Sequence, residues 1–511
     1  TPLFIDLETR SPVNLKTDGG TKYAAHPATS ILTAVWTVDG VYGIWFPTLA
    51  ELPDTVSKVH LPNVGVFLGP ELPEPLRTNL HRPWVAHNAW GFDQPVWEAR
   101  HPAPSCWIDS YPLALQIGLP GNLDEIGKRI GVGGKEKTGK STLGKYTKNF
   151  AKVPNMLDTV LIGKYAIHDV EIMAELYQVY LDSPKQPRKE YEVLETHRTI
   201  NARGCRVDVE MMRAIRDLMD FAVADAVTEI NVLTDGYLPD LKSLGQRAKI
   251  LDWLSSQGVM SDKELGRTKT GGISLAKNSV QQWLDRAEAG GLSIDELIIE
   301  GDFNARGIKL LQLRNAATRV TGGKIDAGIA RSFGGRINNL FAYWAAHTGR
   351  WGGRGIQVQN LPRPKPTVPV WELVDLFTNT GKLDPDVVRD LLDKKYRSVL
   401  AKDPHAIRSS LDDAASAMLR TIFVGNPLLA MADYSAIECR MLGWLAGQDT
   451  LTQMFWDNVC PYSDMAKRIY DREPTDKKDP IRQVGKVVVL GAGYQLGHKK
   501  FGTYALANGI D

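Results

Sequence analysis

The chain has 511 residues, 43% hydrophobic and 23% charged, with 61 Lys and Arg against 59 Asp and Glu for a net charge of +2. That length exceeds a single core and predicts two to four domains, and the composition is globular rather than disordered or fibrous. No apolar run is long enough to span a bilayer and no signal-peptide pattern opens the chain; four scattered cysteines (Cys106, Cys205, Cys439, Cys460) make no CxxC pair, which argues against a zinc ribbon and for a reducing cytosol.

Residues 1 to about 180 read as α/β. Leu3-Phe-Ile5, Leu32-Thr-Ala-Val-Trp36 and Trp84-Val-Ala86 are predicted strands, with helices near 122–130 and 157–181. The chain starts at Thr1 and enters a strand almost at once, so it is expected to be trimmed or to lack its initiator Met. Ser183-Pro-Lys-Gln-Pro-Arg188 is a polar, proline-bearing boundary. From Glu190 to about 330 the pattern turns helical, over Tyr191–Ala202, Val209–Leu233 and Ile308–Arg319, interrupted by a basic loop at Gly266-Arg-Thr-Lys-Thr-Gly-Gly272. Short strands and glycine loops return from about 331. A polar, mostly helical stretch at 366–417 precedes an apolar strand, Leu428-Leu-Ala-Met-Ala432, that runs into Asp433. No internal repeat or low-complexity segment is evident.

The first constellation of chemical groups is N-terminal. Phe4-Ile-Asp6-Leu-Glu8 puts two carboxylates at alternate strand positions, on one face. Two such acids repel unless a cation lies between them, which suits Mg²⁺ or Mn²⁺; read alone, two solvated acids at a strand end are the commoner explanation. Val85-Ala-His-Asn88-Ala-Trp-Gly-Phe92-Asp93 follows a second strand, and Tyr165-Ala-Ile-His-Asp169 lies on a helix with Tyr and Asp one turn apart. These three pieces resemble the motifs of the DEDD 3′–5′ exonuclease superfamily in its tyrosine branch, over roughly the first 180 residues. His168 does not occupy the position that the histidine branch needs. The resemblance implies that Asp6, Glu8, Asp93 and Asp169 hold two metal ions, one generating the attacking hydroxide and one stabilising the leaving 3′ oxygen. It implies that Tyr165 orients the water and that Asn88 and Phe92 shape the site or contact the terminal nucleotide; packing is an equal alternative for Phe92.

Gly134-Lys-Glu-Lys-Thr-Gly139-Lys140-Ser141 fits the P-loop expression GxxxxGK[ST]. A P-loop needs a strand before it and a helix opening at its end. Here a helix precedes it (Leu123–Ile130) and the residues after it suit a P-loop helix poorly. A flexible basic loop is expected instead, its Lys135, Lys137, Lys140 and Lys145 either touching a DNA backbone or simply solvated.

The second constellation is C-terminal. Arg482, Lys486, Leu490 and Tyr494 recur every four residues, along one helix face. Asp433-Tyr-Ser-Ala-Ile-Glu438-Cys-Arg440 closely resembles motif A of family A DNA polymerases, the class of bacterial DNA polymerase I, and Arg482 to Tyr494 resembles its fingers motif B. Thr348-Gly-Arg350 and Gln357-Val-Gln359-Asn360-Leu-Pro362 resemble the family's minor-groove segment, and Asn201 to Asp208 the start of its polymerase domain. The family's order of exonuclease, thumb, palm and fingers is followed over nearly the whole chain. The net charge of +2 neither supports nor excludes nucleic acid, since large DNA enzymes often confine their basic groups to a cleft.

By this resemblance Asp433 coordinates two catalytic Mg²⁺ ions, Arg482 and Lys486 grip the β- and γ-phosphates, and Tyr494 stacks at the nascent pair. Glu438 stands where the family screens out a ribose 2′-hydroxyl. Arg350, Gln359 and Asn360 contact the minor groove, where correct pairs offer similar acceptors. Read without the family, Gln359 and Asn360 cap a loop and Arg440 makes a salt bridge within the palm.

Four departures stand out. Leu490 replaces the usual fingers aromatic, which puts contact with the incoming sugar in question, and Gln495 replaces a glycine after Tyr494. The stretch between Pro362 and Leu419 is longer than in bacterial polymerase I, suggesting an inserted subdomain. The family's second palm aspartate, in a His-Asp-Glu turn, has no counterpart in the seventeen residues after Tyr494, so the chain is expected to be C-terminally incomplete.

The expected fold is therefore multidomain α/β and α+β, an RNase H-like exonuclease domain (1–185) followed by a right-hand polymerase. The latter divides into thumb (190–330), palm (331–450, with the helical insertion at about 366–417) and fingers (451–511). The expected function is template-directed DNA synthesis with 3′–5′ proofreading, phage-type, by a monomer in the bacterial host cytoplasm. Two Mg²⁺ (or Mn²⁺) per active site, dNTP substrates, primer–template DNA and replication accessory proteins are its expected cofactors and partners. A stand-alone 3′–5′ exonuclease whose C-terminal half grips DNA is the alternative.

Overall fold

The computed structural model describes residues 1–134, 137–184, 190–257, 303–317, 321–402, 406, 408–425, 428–430, 432–476, 479–493 and 496–506. The described chain divides into two compact units, Thr1–Gly425 and Asn426–Asp511. The sequence-based boundaries near 185 and 330 both fall inside the first. No described helix is long and apolar enough to cross a membrane. The basic loop at 266–272, the linker residues 185–188, Arg319, Tyr494 and Gln495 lie outside the described residues.

The first unit opens on a six-stranded sheet of β1 (Leu3–Arg10), β2 (Ser30–Val38), β3 (Val41–Phe46), β4 (Val64–Leu68), β5 (Pro83–Ala86) and β6 (Cys106–Asp109), in the order β4-β3-β2-β1-β5-β6. β1–β2 and β2–β3 pair antiparallel; β3–β4, β1–β5 and β5–β6 pair parallel. Strand alternation sorts β1 between two cores. Leu3, Ile5 and Leu7 enter a cluster with Trp36, Trp45, Trp84 and Trp97, whereas Phe4 joins one on the opposite face. Asp6 and Glu8 share the face of Phe4 by the same alternation.

That second face is covered by helices. After α1 (Asp93–Glu98), α2 (Ser110–Gln116), α3 (Leu123–Ile130) and α4 (Lys137–Thr147) comes the 27-residue α5 (Met156–Asp182), capped by the Asn155 side chain accepting from the Asp158 N–H. Val160, Gly163, Ala166, Val170 and Met173 form its buried stripe at three-to-four spacing. Gly163 makes room there: a Cβ would stand 2.4 Å from Ile44 Cδ1 and 3.0 Å from the Phe46 ring, so a larger residue would make those side chains shift.

One expectation is corrected here. Residues 137–147 form helix α4 rather than a flexible basic loop. Thr142 and Tyr146, one turn apart, are both buried, and Tyr146 clusters with Leu32 and Ile162 while its hydroxyl bonds to Asp158. Burying that stripe outweighs the polar composition that suggested a loop. The element before it is a helix, as expected, so the P-loop geometry is absent.

Downstream, α6 (Glu190–Arg203) and the 25-residue α7 (Val209–Leu233) match the expected helical segments. α8 (Phe303–Ala317) and α9 (Thr321–Arg331) follow, and then α10 (Val370–Thr380), α11 (Pro385–Leu400) and α12 (Leu411–Met418) occupy the helical stretch read near 366–417. Met212, Ile215, Leu218 and Met219 of α7 anchor the largest core cluster with Ile325, Ile337, Val388 and the fully buried α12. Short strands β7 (Cys205–Arg206), β8 (Ser332–Phe333) and β9 (Arg336–Ile337) form one small sheet, and β10 (Phe341–Ala342) and β11 (Gly352–Gly353) another.

The second unit is helical: α13 (Ile437–Leu445), α14 (Asp449–Trp456), α15 (Pro461–Tyr470) and α16 (Pro480–Gly493). Here too an expectation is corrected. Residues 428–430 and 432 are not strand, and no strand pairs with them among the described residues. An apolar run becomes a strand only when a neighbour accepts its backbone hydrogen bonds, so local pattern alone overstated it.

Candidate active site

β1 and α5 build the best-formed chemical site. Carboxylate oxygens of Asp6, Glu8 and Asp169 all lie within 4.8 Å of one another, and Asp169 is only 2% exposed. Period two on the strand and the packing of α5 across it bring the three together from distant sequence positions. Tyr165, one turn before Asp169, is also buried and hydrogen-bonded to it. Burial first, then the charges of Asp169, Glu8 and Asp6, push the Tyr165 phenol far above its ordinary range, so it stays protonated and able to donate.

Asp93 opens α1 and is buried, outside the 4.8 Å group. It accepts the backbone N–H of Leu7, between the two β1 acids. Burial, then the charges of Asp6 and Asp109, raise its carboxyl well above the usual carboxylate range, and its Oδ1 is buried without a hydrogen-bond partner. A buried oxygen with no partner beside three clustered carboxylates is the chemistry of a hard-cation site: oxygen donors, crowded negative charge and one donor to spare.

The loop that carries Asn88 is held by a residue the sequence reading missed. Asp109, at the end of β6, accepts from the backbone N–H groups of Asn88 (2.8 Å), Tyr111 (3.0 Å) and Trp90 (3.3 Å). Asn88 sits in the left-handed region, φ 63°, and Asp109 fixes that conformation. Burial pushes the Asp109 carboxyl up to about 6 despite those hydrogen bonds. The available signal was an Asp at a strand end ahead of Ser-Tyr-Pro, a helix N-cap pattern. Phe92 packs against Tyr23 with ring centroids 5.8 Å apart. His168 is occupied elsewhere, its nitrogens bonded to Glu171 Oε2 at 3.0 Å and the Gly134 carbonyl at 2.9 Å.

Farther along the first unit, Arg350, Gln359 and Asn360 are all exposed on the segment that spans β11. Asn360 donates to Gln357 Oε1 at 3.2 Å, and Lys324 donates to its carbonyl at 2.6 Å.

The second unit arranges its own set. Asp433 is exposed in the loop before α13, and Glu438 is exposed in the first turn of that helix. Arg440 donates to the Ser435 carbonyl at 2.9 Å and lies 4.2 Å from the Phe455 ring centre, an internal role rather than a salt bridge. On α16, Arg482, Lys486 and Leu490 are half-buried along one face while Ile481 and Gly485 pack inward. Arg482 donates to Cys460 Sγ at 3.4 Å and lies 5.6 Å from the Tyr462 ring centre. Glu438 and Arg482 both bear electrostatically on Tyr462, so the second unit brings the Asp433 segment's helix and the Arg482 helix to one place.

Comparison with known proteins adds three findings and one absence. No family model matches the chain. It is 26% identical to a DNA polymerase of Bacillus phage SP02 over 520 aligned residues, 97% of this chain and 69% of that protein. A 63-residue stretch, 12% of the chain, is 43% identical to the cytochrome c-type biogenesis protein CcmE of Teredinibacter turnerae, too short to bear on the whole. In fold, all of the chain matches 70% of the POL domain of Pol1 from M. smegmatis, solved with DNA primer-template and dNTP, at TM-score 0.56 and 16% identity. Along nearly its whole length the chain is thus similar in sequence to a phage DNA polymerase, and its fold is similar to that of a POL domain.

Proposed function

We propose that the chain takes part in template-directed DNA synthesis on primer–template DNA with dNTP substrates, and that its N-terminal carboxylates carry a 3′–5′ proofreading exonuclease. The length-wise likeness to a phage DNA polymerase supports the first part. The observation that carries the second is the approach of Asp6, Glu8 and Asp169 to within 4.8 Å beside the protonated Tyr165. An enzyme of this kind acts in the host cytoplasm.

Asp6, Glu8 and Asp169, with Asp93 completing the set, are the residues that would hold Mg²⁺. Bound there, divalent cations supply a nucleophile at neutral pH and neutralise charge on the phosphodiester. The chain's own residues do the positioning. Tyr165 keeps a hydroxyl that cannot ionise at physiological pH; with its proton directed to Asp169, its oxygen can accept from a water and so hold it without adding negative charge. Asn88, its backbone fixed by Asp109, lies on the loop that leads into Asp93. In the second unit, Asp433 would hold metal for synthesis, and Arg482 and Lys486 would bind the β- and γ-phosphates, with Leu490 and Glu438 at the sugar and Tyr494 at the base. Arg350, Gln359 and Asn360 would contact the primer–template duplex.

One observation favours keeping the exonuclease-only reading: among the described residues, the only cluster of three metal-ligating side chains is the N-terminal one. Primer extension separates the two. Incorporation of dNTPs on a primed template supports polymerase action. A full-length gene product that degrades 3′ ends but incorporates nothing leaves the exonuclease alone.

A further inference from the structure

A cavity of about 220 Å³ lies where the α/β portion meets the chain that follows it, lined by Asn88, Trp90, Tyr111, His197, Asn201 and Arg354. It carries hydrogen-bond donors in excess. The Asn201 side chain is oriented by Phe341: its Oδ1 accepts from the Phe341 N–H at 3.0 Å and its Nδ2 donates to the Phe341 carbonyl at 2.9 Å. That same Nδ2 stands 3.0 Å from His197 Nε2, so Nε2 is the acceptor and the ring proton resides on Nδ1. His197 is 7% exposed, and its Nδ1 is buried with no hydrogen-bond partner.

Arg354 is the second unmatched donor. Its guanidinium lies 6.0 Å from the Tyr111 ring centre and has no acceptor or carboxylate partner among the described residues. The acids that line the cavity are already engaged. Asp109 accepts the three backbone N–H groups described above, and Glu98 accepts from Trp107 Nε1 at 3.0 Å and Gln94 Nε2 at 3.1 Å. A guanidinium without an acceptor, lining one polar cavity beside the His197 ring, calls for an anionic oxygen ligand. The cavity's volume accommodates a phosphate with part of its sugar, and Trp90 and Tyr111 offer ring surface to the remainder.

We propose that this cavity is a phosphodiester-binding subsite for a single-stranded DNA end, with Arg354 gripping one phosphate beside the His197 ring. It deepens the exonuclease reading and rests on it for the strand's destination, because Asn88 lines the cavity and its loop leads into Asp93. The same chemistry would suit a free phosphate, as inorganic phosphate or a nucleoside monophosphate, and the test separates the two sources.

The test is fluorescence anisotropy of a labelled single-stranded oligonucleotide in EDTA, with the whole chain. Arg354→Ala is expected to weaken binding about tenfold, the scale of one charge-assisted hydrogen bond. Arg354→Lys is expected to recover part of the loss, and Lys58→Ala, which removes an equal charge from an exposed i,i+4 pair with Asp54, to change nothing. Equal affinities for Arg354→Ala and Lys58→Ala, both confirmed folded by circular dichroism, overturn the proposal. Inorganic phosphate or dTMP that raises the wild-type melting temperature through Arg354, while oligonucleotide affinity ignores Arg354, reassigns the cavity to free phosphate and also overturns it. Because binding is read without metal, a wild type that fails to cleave DNA with Mg²⁺ sinks the exonuclease reading and not this one.

Discussion

Tyr165 and Asp169 stand one helical turn apart on α5, and the phenol O–H donates a hydrogen bond to the carboxylate. The pair couples the one neutral donor of the site to one of its three clustered acids. Removing only the hydroxyl therefore tests positioning without touching the charge set. Tyr165→Phe is expected to lower kcat for Mg²⁺-dependent degradation of single-stranded 3′ ends by on the order of 10²-fold, with KM nearly unchanged. The melting temperature should move by a few degrees at most. Wild-type kcat in this variant would remove Tyr165 from the mechanism.

Three carboxylates within 4.8 Å repel one another when no cation is bound. Glu8→Gln relieves part of that repulsion. The metal-free variant is expected to be more stable than the wild type by about 1 kcal/mol, against the usual direction of a core-side substitution. The wild type should gain melting temperature on adding Mg²⁺, and the variant should gain much less. Calorimetry with and without Mg²⁺ reads both, and equal gains for the two proteins would refute the cation site.

How much of this was legible beforehand differs between the two constellations, for a physical reason. Asp6, Glu8, Tyr165 and Asp169 sit on a strand and a helix whose periods dictate which face each side chain takes, so spacing paired them two by two and the resemblance to the DEDD exonucleases joined the two pairs. Asp93 is subtler: its loop was readable, but its buried, partnerless Oδ1 depends on how α1 docks against β1. Asp109 showed no more than an N-cap pattern, and His197 and Arg354 were invisible. Each matters through a contact with residues far off in sequence, and nothing local marks a histidine as buried or an arginine as lacking an acceptor. The strand read into 428–432 failed for the same reason inverted, since strand formation depends on a neighbour that local pattern does not reveal.

His197 gives the first unit a pH signature. Burial first, with the nearby Arg354 charge adding to it, lowers its pKa from an ordinary 6.5 to about 4. The unfolded chain thus takes up a proton at higher pH than the folded one. Stability is at its full value above pH 6.5 and falls as the pH drops from there toward 4, by about 3 kcal/mol over that window. Asp109 acts with the opposite sign. Its folded value of about 6 exceeds the ordinary 3.8, so its contribution is present below 3.8 and lost as pH rises through 6. Comparing the wild type with His197→Gln in denaturant melts at pH 5 and pH 7 isolates the histidine. The difference between the two proteins should shrink at pH 5, and a constant difference would contradict a neutral buried imidazole.

In the second unit Arg482 donates to Cys460 Sγ and lies beside the Tyr462 ring. Arg482→Lys should not substitute well, because the planar fork and its stacking are lost. In primer extension by the full-length gene product, Arg482→Ala is expected to raise KM for dNTP about tenfold or more, with Arg482→Lys recovering only a minor part. An unchanged KM in Arg482→Ala would take this helix face out of triphosphate binding.

Gly485 decides whether that helix face can be presented at all. A Cβ there would lie 2.1 Å from the Tyr462 carbonyl oxygen and 2.8 Å from the Ala466 nitrogen, both backbone atoms of α15 that no rotamer change can move aside. Gly485→Ala must therefore push α15 and α16 apart. The better helix propensity of alanine recovers roughly 1 kcal/mol, less than the roughly 1–3 kcal/mol that overpacking costs. Separation of the two helices also pulls Tyr462 and Cys460 away from Arg482. The variant is expected to lose stability in the second unit and dNTP affinity in primer extension, while 3′-end degradation by the β1–α5 site stays at the wild-type rate. A variant as stable as the wild type, with unaltered KM for dNTP, would show that the α15–α16 contact is looser than described and that Arg482 is not positioned through it.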